Sequence, residues 1–157
     1  MKTTFSAERV IDAPAEVVYR CLADYTRHHR PGGFLPPAFS NQEVLSGGIG
    51  DGTVIRLNVS LGGRTTTMTA RISEPEPGRV LVEDSDHVRT IFTVQPEAGQ
   101  SRVRFDTMLE ARGLEGLMNR FFAARLLRPV YTDELERLER YAQSQVAAHT
   151  ADARAAE

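Results

Sequence analysis

Apolar and polar residues alternate along most of the first two thirds of the chain. Seven segments have this period of two, or a short apolar run of strand length: 2–11, a segment ending at Val44 and Leu45, 53–61, 64–73, 79–83, 88–95 and 102–109. Strict alternation is typical of a strand with one buried and one solvated face, as found in antiparallel sheets. The pattern therefore predicts an antiparallel sheet of about seven strands.

Turn residues separate these segments. The stretch "LGGR" at 61–64 is a signal for a tight hairpin, because glycine accepts the positive φ angles of such turns. The stretch "EPEPG" at 74–78 predicts the end of a strand, since proline has no N–H to donate to a central ladder. Neighbouring strands are thus expected to be joined by short connections.

Two segments have the helical period instead. The first is "DAPAEVVYRCLADY" at 12–25, where apolar residues including Cys21 recur at helical spacing. The second runs from Gly113 to about Val146 and would be about 45 Å long, which exceeds the length of a strand of about 30 Å. Such a helix is expected to lie across the apolar face of the sheet.

Pro129 lies inside this second helical pattern. Proline removes one backbone hydrogen bond and clashes with the preceding turn, so a kink or break is predicted near residues 126–129. A kink there would let residues 114–127 move and widen an opening to the interior. Residues 147–157 have no apolar periodicity and are predicted to form a flexible tail after a single domain at 1–146.

Composition narrows the function classes. The chain has 157 residues, a net charge of −2 and one cysteine. This charge argues against a nucleic-acid partner, and a lone thiol excludes an intramolecular disulfide. No apolar run approaches the roughly 18 residues that a membrane span needs, and the N-terminus lacks a signal-peptide core. We expect a cytoplasmic protein without integral membrane association, either monomeric or homodimeric.

The stretch "YTRHHRPGGFLPPAF" at 25–39 holds the clearest candidates for chemistry. His28 and His29 could each act as a general base or as one metal ligand. A metal site needs three or four ligands, and the other histidines, His87 and His149, fall elsewhere in the pattern, so no metal and no cofactor are predicted. Replacing both histidines by alanine is expected to cost less than about 1 kcal/mol, as a surface change.

The same stretch could instead cover the opening of a pocket. Its prolines would stiffen it, and Phe34, Leu35 and Phe39 would close over apolar contents. A second loop, "GGIGDG" at 47–52, precedes a strand rather than opening a helix, so it is interpreted as a glycine turn and not as a phosphate-binding loop. Gly48, Ile49 and Gly50 are predicted to lie beside the opening.

The stretches "RVIDAPAEVVYRCLAD", "GGIGDGTVIR", "EPEPGRVLVE" and "GLMNRFF…DELERLERYA" resemble the START-like SRPBCC superfamily, in its polyketide cyclase/dehydrase and lipid-transport-like branch. The resemblance covers about residues 3–143. It implies an α+β helix-grip fold: a curved antiparallel sheet of about seven strands around a long C-terminal helix, with two short helices after the first strand. One departure is the absence of tryptophan; Tyr19 stands where many relatives have one.

The resemblance also implies a deep apolar cavity between sheet and helix. The residues expected to line it are Ile55, Leu57, Val59, Met68, Ala70, Thr90, Phe92, Phe105, Leu117, Phe121, Leu127, Tyr131 and Leu135. Polar atoms of Thr66, Thr90, Thr107 and Tyr131 would orient a ligand.

Three functions are compatible with that fold. The leading hypothesis is a carrier of a small hydrophobic or amphipathic molecule such as a lipid, polyketide or aromatic compound. The second is a cyclase, dehydratase or isomerase in which His28, His29 or Tyr131 transfers protons. The third is a co-chaperone-like interaction module. Members of this superfamily share no catalytic motif, so the resemblance alone leaves all three open.

Overall fold

The computed structural model describes the backbone of residues 2–110 and 113–157, and the side chains of residues 4–110 and 122–157. Seven antiparallel strands form one sheet in the order β1-β7-β6-β5-β4-β3-β2. The strands are β1 (Lys2–Ile11), β2 (Phe39–Ser46), β3 (Val54–Leu61), β4 (Arg64–Glu76), β5 (Val80–Asp84), β6 (Val88–Glu97) and β7 (Gln100–Glu110). The predicted α+β architecture, with this sheet and a long C-terminal helix, is confirmed.

The β3–β4 hairpin forms where the glycine pair predicts it. Gly62 and Gly63 have φ angles of 57° and 78°, and Leu61 pairs with Arg64 across the turn. A β-carbon added at Gly62 would also meet Leu126 Cδ1 of the C-terminal helix at 3.1 Å. The glycine therefore permits both the left-handed turn and the close approach of the hairpin to the helix.

Strand β4 extends further than the prolines predicted. It continues through Pro75 to Glu76, with an irregularity in its pairing to β5 between Ser73 and Glu76. Proline is tolerated in a strand at such an irregularity because its missing N–H is not needed for the ladder. The predicted strand end at the start of "EPEPG" is therefore wrong by a few residues.

One helix, α1 (Ala15–Ala23), lies between β1 and β2. The second short helix implied by the resemblance is not formed. Residues 25–38 adopt turns and irregular structure instead. This segment carries prolines at 31, 36 and 37 and glycines at 32 and 33, all of which are unfavourable in a helix interior. That prediction is corrected.

The C-terminal helix α2 (Gly113–Ala155) continues across Pro129 without a break. Pro129 and Arg125 are both exposed, so water can bond the carbonyl that the proline leaves unpaired. The helix also continues past Val146, where alanine-rich residues favour helical conformation although they are exposed. The predicted break at 126–129 and the predicted helix end near 146 are wrong, whereas a kink at Pro129 within the continuous helix stays a prediction.

The core lies between the sheet, α1 and the middle of α2. Helix α2 packs chiefly against β1, α1 and β7, and Leu135, Leu138 and Ala142 of this helix are fully or almost fully buried. At the edge of this contact, Glu139 bonds Arg9 Nη2 at 2.8 Å. Among the described residues, no helix is both long enough and apolar enough to cross a bilayer.

Candidate ligand-binding cavity

Of the spaces between the sheet and α2, two share part of their walls. We call the first the inner chamber. Its volume is about 50 Å³, room for only a few water-sized groups. It is lined by Leu22, Tyr25, His29, Leu35, Phe39, Gln42, Ile55, Leu57, Met68, Ala70, Leu81, Glu83, Ser85, Val88, Thr90, Phe92, Tyr131 and Glu134. Most of these side chains are apolar, and the polar ones come from several different elements.

The second space, the outer groove, is much larger at about 930 Å³. It lies between the β3–β4 hairpin, the β5–β6 turn at residues 84–88 and the part of α2 that holds Ala123 and Leu127. The inner chamber and the outer groove share five wall residues: Phe39, Met68, Ser85, Val88 and Tyr131. The groove therefore lies directly beside the chamber.

Most of the predicted cavity residues that the structure describes lie on these walls. Ile55, Leu57, Met68, Ala70, Thr90, Phe92 and Tyr131 line the inner chamber, and Val59, Met68, Leu127 and Tyr131 line the outer groove. Phe105 and Leu135 lie in the hydrophobic core and line neither space. Leu117 and Phe121 lie outside the described side chains.

The predicted opening is only partly where the sequence indicated. Leu35 and Phe39 line the inner chamber, but Phe34 is 0% exposed and packs its ring against His29 and Tyr141. It is a core residue because the turns before it fold the loop inward. Phe34 therefore does not cover the groove.

The glycine loop lies against the end of α1. Gly50 N donates to Ala23 O at 2.8 Å, and Tyr25 N donates to Gly48 O at 2.9 Å. Ile49 is 67% exposed, and none of Gly48, Ile49 and Gly50 lines the chamber or the groove. These backbone bonds fix the loop at the end of α1, away from the walls of both spaces. Its predicted place beside the opening is therefore corrected.

His28 and His29 are both buried, contrary to the expectation of a surface loop. His29 Nε2 lies 2.8 Å from Leu22 O, and its ring packs edge-on against Phe34. Burial lowers the pKa of His29 to about 4. A carbonyl only accepts hydrogen bonds, so Nε2 carries the proton of a neutral ring. His29 is thus a structural residue that also forms part of the chamber wall.

His28 is fixed from the other side. Its Nδ1 lies 2.7 Å from the Tyr141 hydroxyl of α2, and burial lowers its pKa. Together the two histidines connect the loop to α1 and α2, and their replacement removes buried contacts. The expected cost below about 1 kcal/mol for the double alanine variant is therefore wrong, because unpaired buried polar groups alone cost about 1–3 kcal/mol each.

The predicted polar groups form a short hydroxyl chain. Thr90 Oγ1 lies 3.0 Å from Thr107 Oγ1 and 3.4 Å from the Tyr131 hydroxyl. Burial raises the pKa of Tyr131 to about 12, so its phenol stays protonated at neutral pH. Thr66 is exposed and lines the outer groove. These groups can hydrogen-bond a ligand, but none is a base near pH 7.

The sequence reasoning missed two carboxyl groups in the chamber. Tyr25 OH donates to Glu83 Oε1 at 2.7 Å, whereas Glu134 is 5% exposed and makes no hydrogen bond to any described residue. Burial raises the pKa of both carboxyls, and the nearby charge of Glu83 raises that of Glu134 further. The spacing of these residues could have indicated their position. Glu83 follows Leu81 by two residues in a strand, and Glu134 follows Tyr131 by three in a helix, so each shares a face with a buried residue.

Comparison with known proteins agrees with this architecture. The family described as polyketide cyclase/dehydrase and lipid transport matches residues 2–143. The chain belongs to this family. Its predicted resemblance to the START-like SRPBCC superfamily is thereby confirmed. No protein of curated function matches the sequence.

Solved structures share the fold at low sequence identity. The KanY protein is 24% identical, with a TM-score of 0.77 over 91% of this chain and 99% of its own. The Zhui aromatase/cyclase from Streptomyces sp. R1128 is 19% identical, with a TM-score of 0.73 over 93% and 96%. A START superfamily protein from Mycobacterium smegmatis is 16% identical, with a TM-score of 0.67 over 90% and 98%. At these identities, the likeness concerns the fold alone.

Proposed function

We propose that this protein binds a small hydrophobic or amphipathic molecule, such as a lipid, polyketide or aromatic compound, in the outer groove and inner chamber. The observation that carries the proposal is a groove of about 930 Å³ that shares five wall residues with a chamber on the inner face of the sheet. Pockets for small molecules commonly measure about 300–1,000 Å³ and are mostly apolar with a few polar groups.

The family membership supports the same ligand class, since the family description includes lipid transport. Cyclase or dehydratase chemistry by the residues first considered is less favoured. The pKa of His29 is lowered to about 4, and that of Tyr131 is raised to about 12. General acid–base catalysis works best with a pKa near the working pH. Ligand binding is therefore the function that these side chains favour.

Val59→Trp tests the proposal by filling the groove. Val59 is half-buried and lines the outer groove, so an indole there can occupy space that a ligand would use. We expect the affinity for the neutral dye Nile red to fall at least about tenfold. The free energy of unfolding should change by less than the 1–3 kcal/mol or so typical of overpacking a full core.

Asn58→Trp is the matched control. Asn58 is the neighbour of Val59 on β3 and lines neither the chamber nor the groove, although Thr67, whose hydroxyl donates to Asn58 Oδ1, lies at the groove. The control should bind Nile red like the wild type. A Val59→Trp protein that unfolds readily yet still binds the dye would place the ligand elsewhere. Native mass spectrometry of gently purified protein should in addition reveal a co-purifying small molecule.

A further inference from the structure

Two hydroxyl groups on the chamber wall already donate to protein acceptors. Tyr25 OH donates to Glu83 Oε1, and Ser85 Oγ donates to Val88 O at 2.9 Å. These hydroxyl protons therefore point toward protein acceptors. To a ligand in the chamber, these two hydroxyl groups can therefore offer only the lone pairs of their oxygen atoms as acceptors.

The nitrogen donors are committed in the same way. Gln42 Nε2 donates to His29 O at 3.3 Å, and His29 Nε2 donates to Leu22 O. The second amide proton of Gln42 is one donor that this wall still offers.

Acceptors, by contrast, are in excess. Glu134 has no hydrogen-bond partner among the described residues although it is 5% exposed, and Glu83 uses only Oε1. Buried polar groups are rarely left unpaired, since each one costs free energy. The unpaired Glu134 carboxyl therefore requires a partner from outside the described protein, and the open side of the chamber is where one can enter.

The described titratable groups around the chamber are either neutral or negatively charged near pH 7. The titratable groups that face Glu134 or act on it are Tyr25 before β2, His29 in the same loop, Glu83 on β5, and Tyr131 and Asp133 on α2. His29 is neutral, and among the described residues no lysine or arginine lines the chamber. A positively charged ligand group would therefore meet no cation among the described wall residues.

We propose that the inner chamber binds the ammonium group of an amphipathic amine, with Glu134 as its counter-ion and the apolar body of the ligand in the outer groove. The proposal rests on the proposed ligand-binding function. An ammonium group is about the size of water and offers up to three N–H donors, which fits a chamber of about 50 Å³ that is rich in acceptors. Two other side-chain oxygens on the chamber wall can also accept from the ammonium group: Glu83 Oε2 and the Gln42 side-chain oxygen.

Binding is coupled to the release of a proton. Before a ligand binds, burial favours the protonated form of the Glu134 carboxyl by raising its pKa, while an alkylamine in water at pH 7 is already an ammonium ion. When the ammonium enters, the O–H bond of Glu134 breaks, its proton leaves to solvent, and an ammonium N–H donates to the carboxylate. One positive charge enters as one leaves. The affinity should therefore rise with pH until the pKa of Glu134 is reached, by up to about tenfold per pH unit.

The test compares 2-(1-naphthyl)ethylamine with 2-(1-naphthyl)ethanol, which has the same body but no charge. Isothermal titration calorimetry of the full chain at pH 7, in phosphate and in Tris, gives both affinity and the number of protons released. We expect the amine to bind at least about tenfold more tightly than the alcohol. Between the two buffers, its binding enthalpy should differ in the direction expected for net release of protons.

Glu134→Gln should lower the amine affinity at least about tenfold and abolish proton release, while the alcohol binds as before. Glu136→Gln is the matched control, since Glu136 is exposed on α2 and lines neither space. If Glu134→Gln does not fold, the test is the pH dependence of amine binding, measured on the wild type and on the Glu83→Gln variant. An amine affinity that falls as pH rises from 6 to 8 would overturn the proposal.

The outcomes separate this inference from the proposed function. If the alcohol binds as tightly as the amine, or Glu134→Gln keeps the preference for the amine, the ammonium site is wrong and ligand binding in the groove stands. If neither compound binds nor displaces Nile red, ligand binding in the groove fails and the ammonium site fails with it.

Discussion

Replacing Tyr131 by alanine should lower the free energy of unfolding by about 3–5 kcal/mol, the cost typical of removing a buried aromatic ring. Tyr131 is 6% exposed, and its ring centroid lies within 6.2 Å of those of Phe5, Phe39 and Phe105. Alanine would leave a cavity that these rings can fill only in part. Urea denaturation followed by circular dichroism measures the change.

Tyr131→Phe is the matched control. It keeps the ring and removes only the hydroxyl, which lies 3.4 Å from Thr90 Oγ1. The cost should be about 0.5–1.5 kcal/mol, that of one ordinary hydrogen bond. Equal stability of the alanine and phenylalanine variants would show that the aromatic contacts around Tyr131 do not stabilise the fold. The alanine variant should also enlarge the passage between the inner chamber and the outer groove, since Tyr131 lines both.

The second large effect is a loss of stability in acid that depends on His29. Burial lowers its pKa from 6.5 to about 4 in the folded protein, so the unfolded chain takes up the proton first as the pH falls. The stabilisation is fully present above pH 6.5 and is lost as the pH falls toward 4. At about 1.4 kcal/mol per pKa unit, the loss amounts to about 3 kcal/mol.

His29→Gln isolates this effect, because glutamine does not titrate. Glu83 and Glu134 act in the opposite direction: their raised pKa values stabilise the folded state below about 4.5, and this contribution is lost as the pH rises through those values. The contributions of Glu83 and Glu134 are common to wild type and variant, so they cancel when the two free energies of unfolding are subtracted. This difference should shrink by about 3 kcal/mol between pH 6.5 and 4. The exposed His87, replaced by glutamine, is the control. An NMR titration that gives His29 a pKa near 6.5 would contradict the prediction.

Several features of this protein depend on short-range patterns and were predictable. The alternation of Leu57 and Val59 with their polar neighbours requires a strand, and the glycine pair after Leu61 requires a tight turn. The sheet and the long helix followed from such patterns, because period and turn chemistry act over a few residues, whereas the family followed from a resemblance of whole stretches. Most of the apolar wall of the cavity was accessible in the same way, since it is the inner face of those strands.

The polar part of the site was not predictable because it depends on contacts between residues far apart in the chain. Glu83 lies between Val82 and Asp84, and Glu134 lies between Asp133 and Leu135, which by sequence alone is equally typical of an exposed position. Only the closure of α2 over the sheet brings them to one chamber and removes water from them.

The same reason governs the histidine loop and the proline. His28 is buried because Tyr141, more than a hundred residues later, meets its ring at 2.7 Å. Pro129 does not break α2, since the tertiary structure leaves its turn of the helix exposed, where water can bond the free carbonyl. The sequence by itself determined the elements and the apolar face that they share. The tertiary structure alone decided which polar groups lose contact with water, because burial is a property of the assembled layers and not of any one segment.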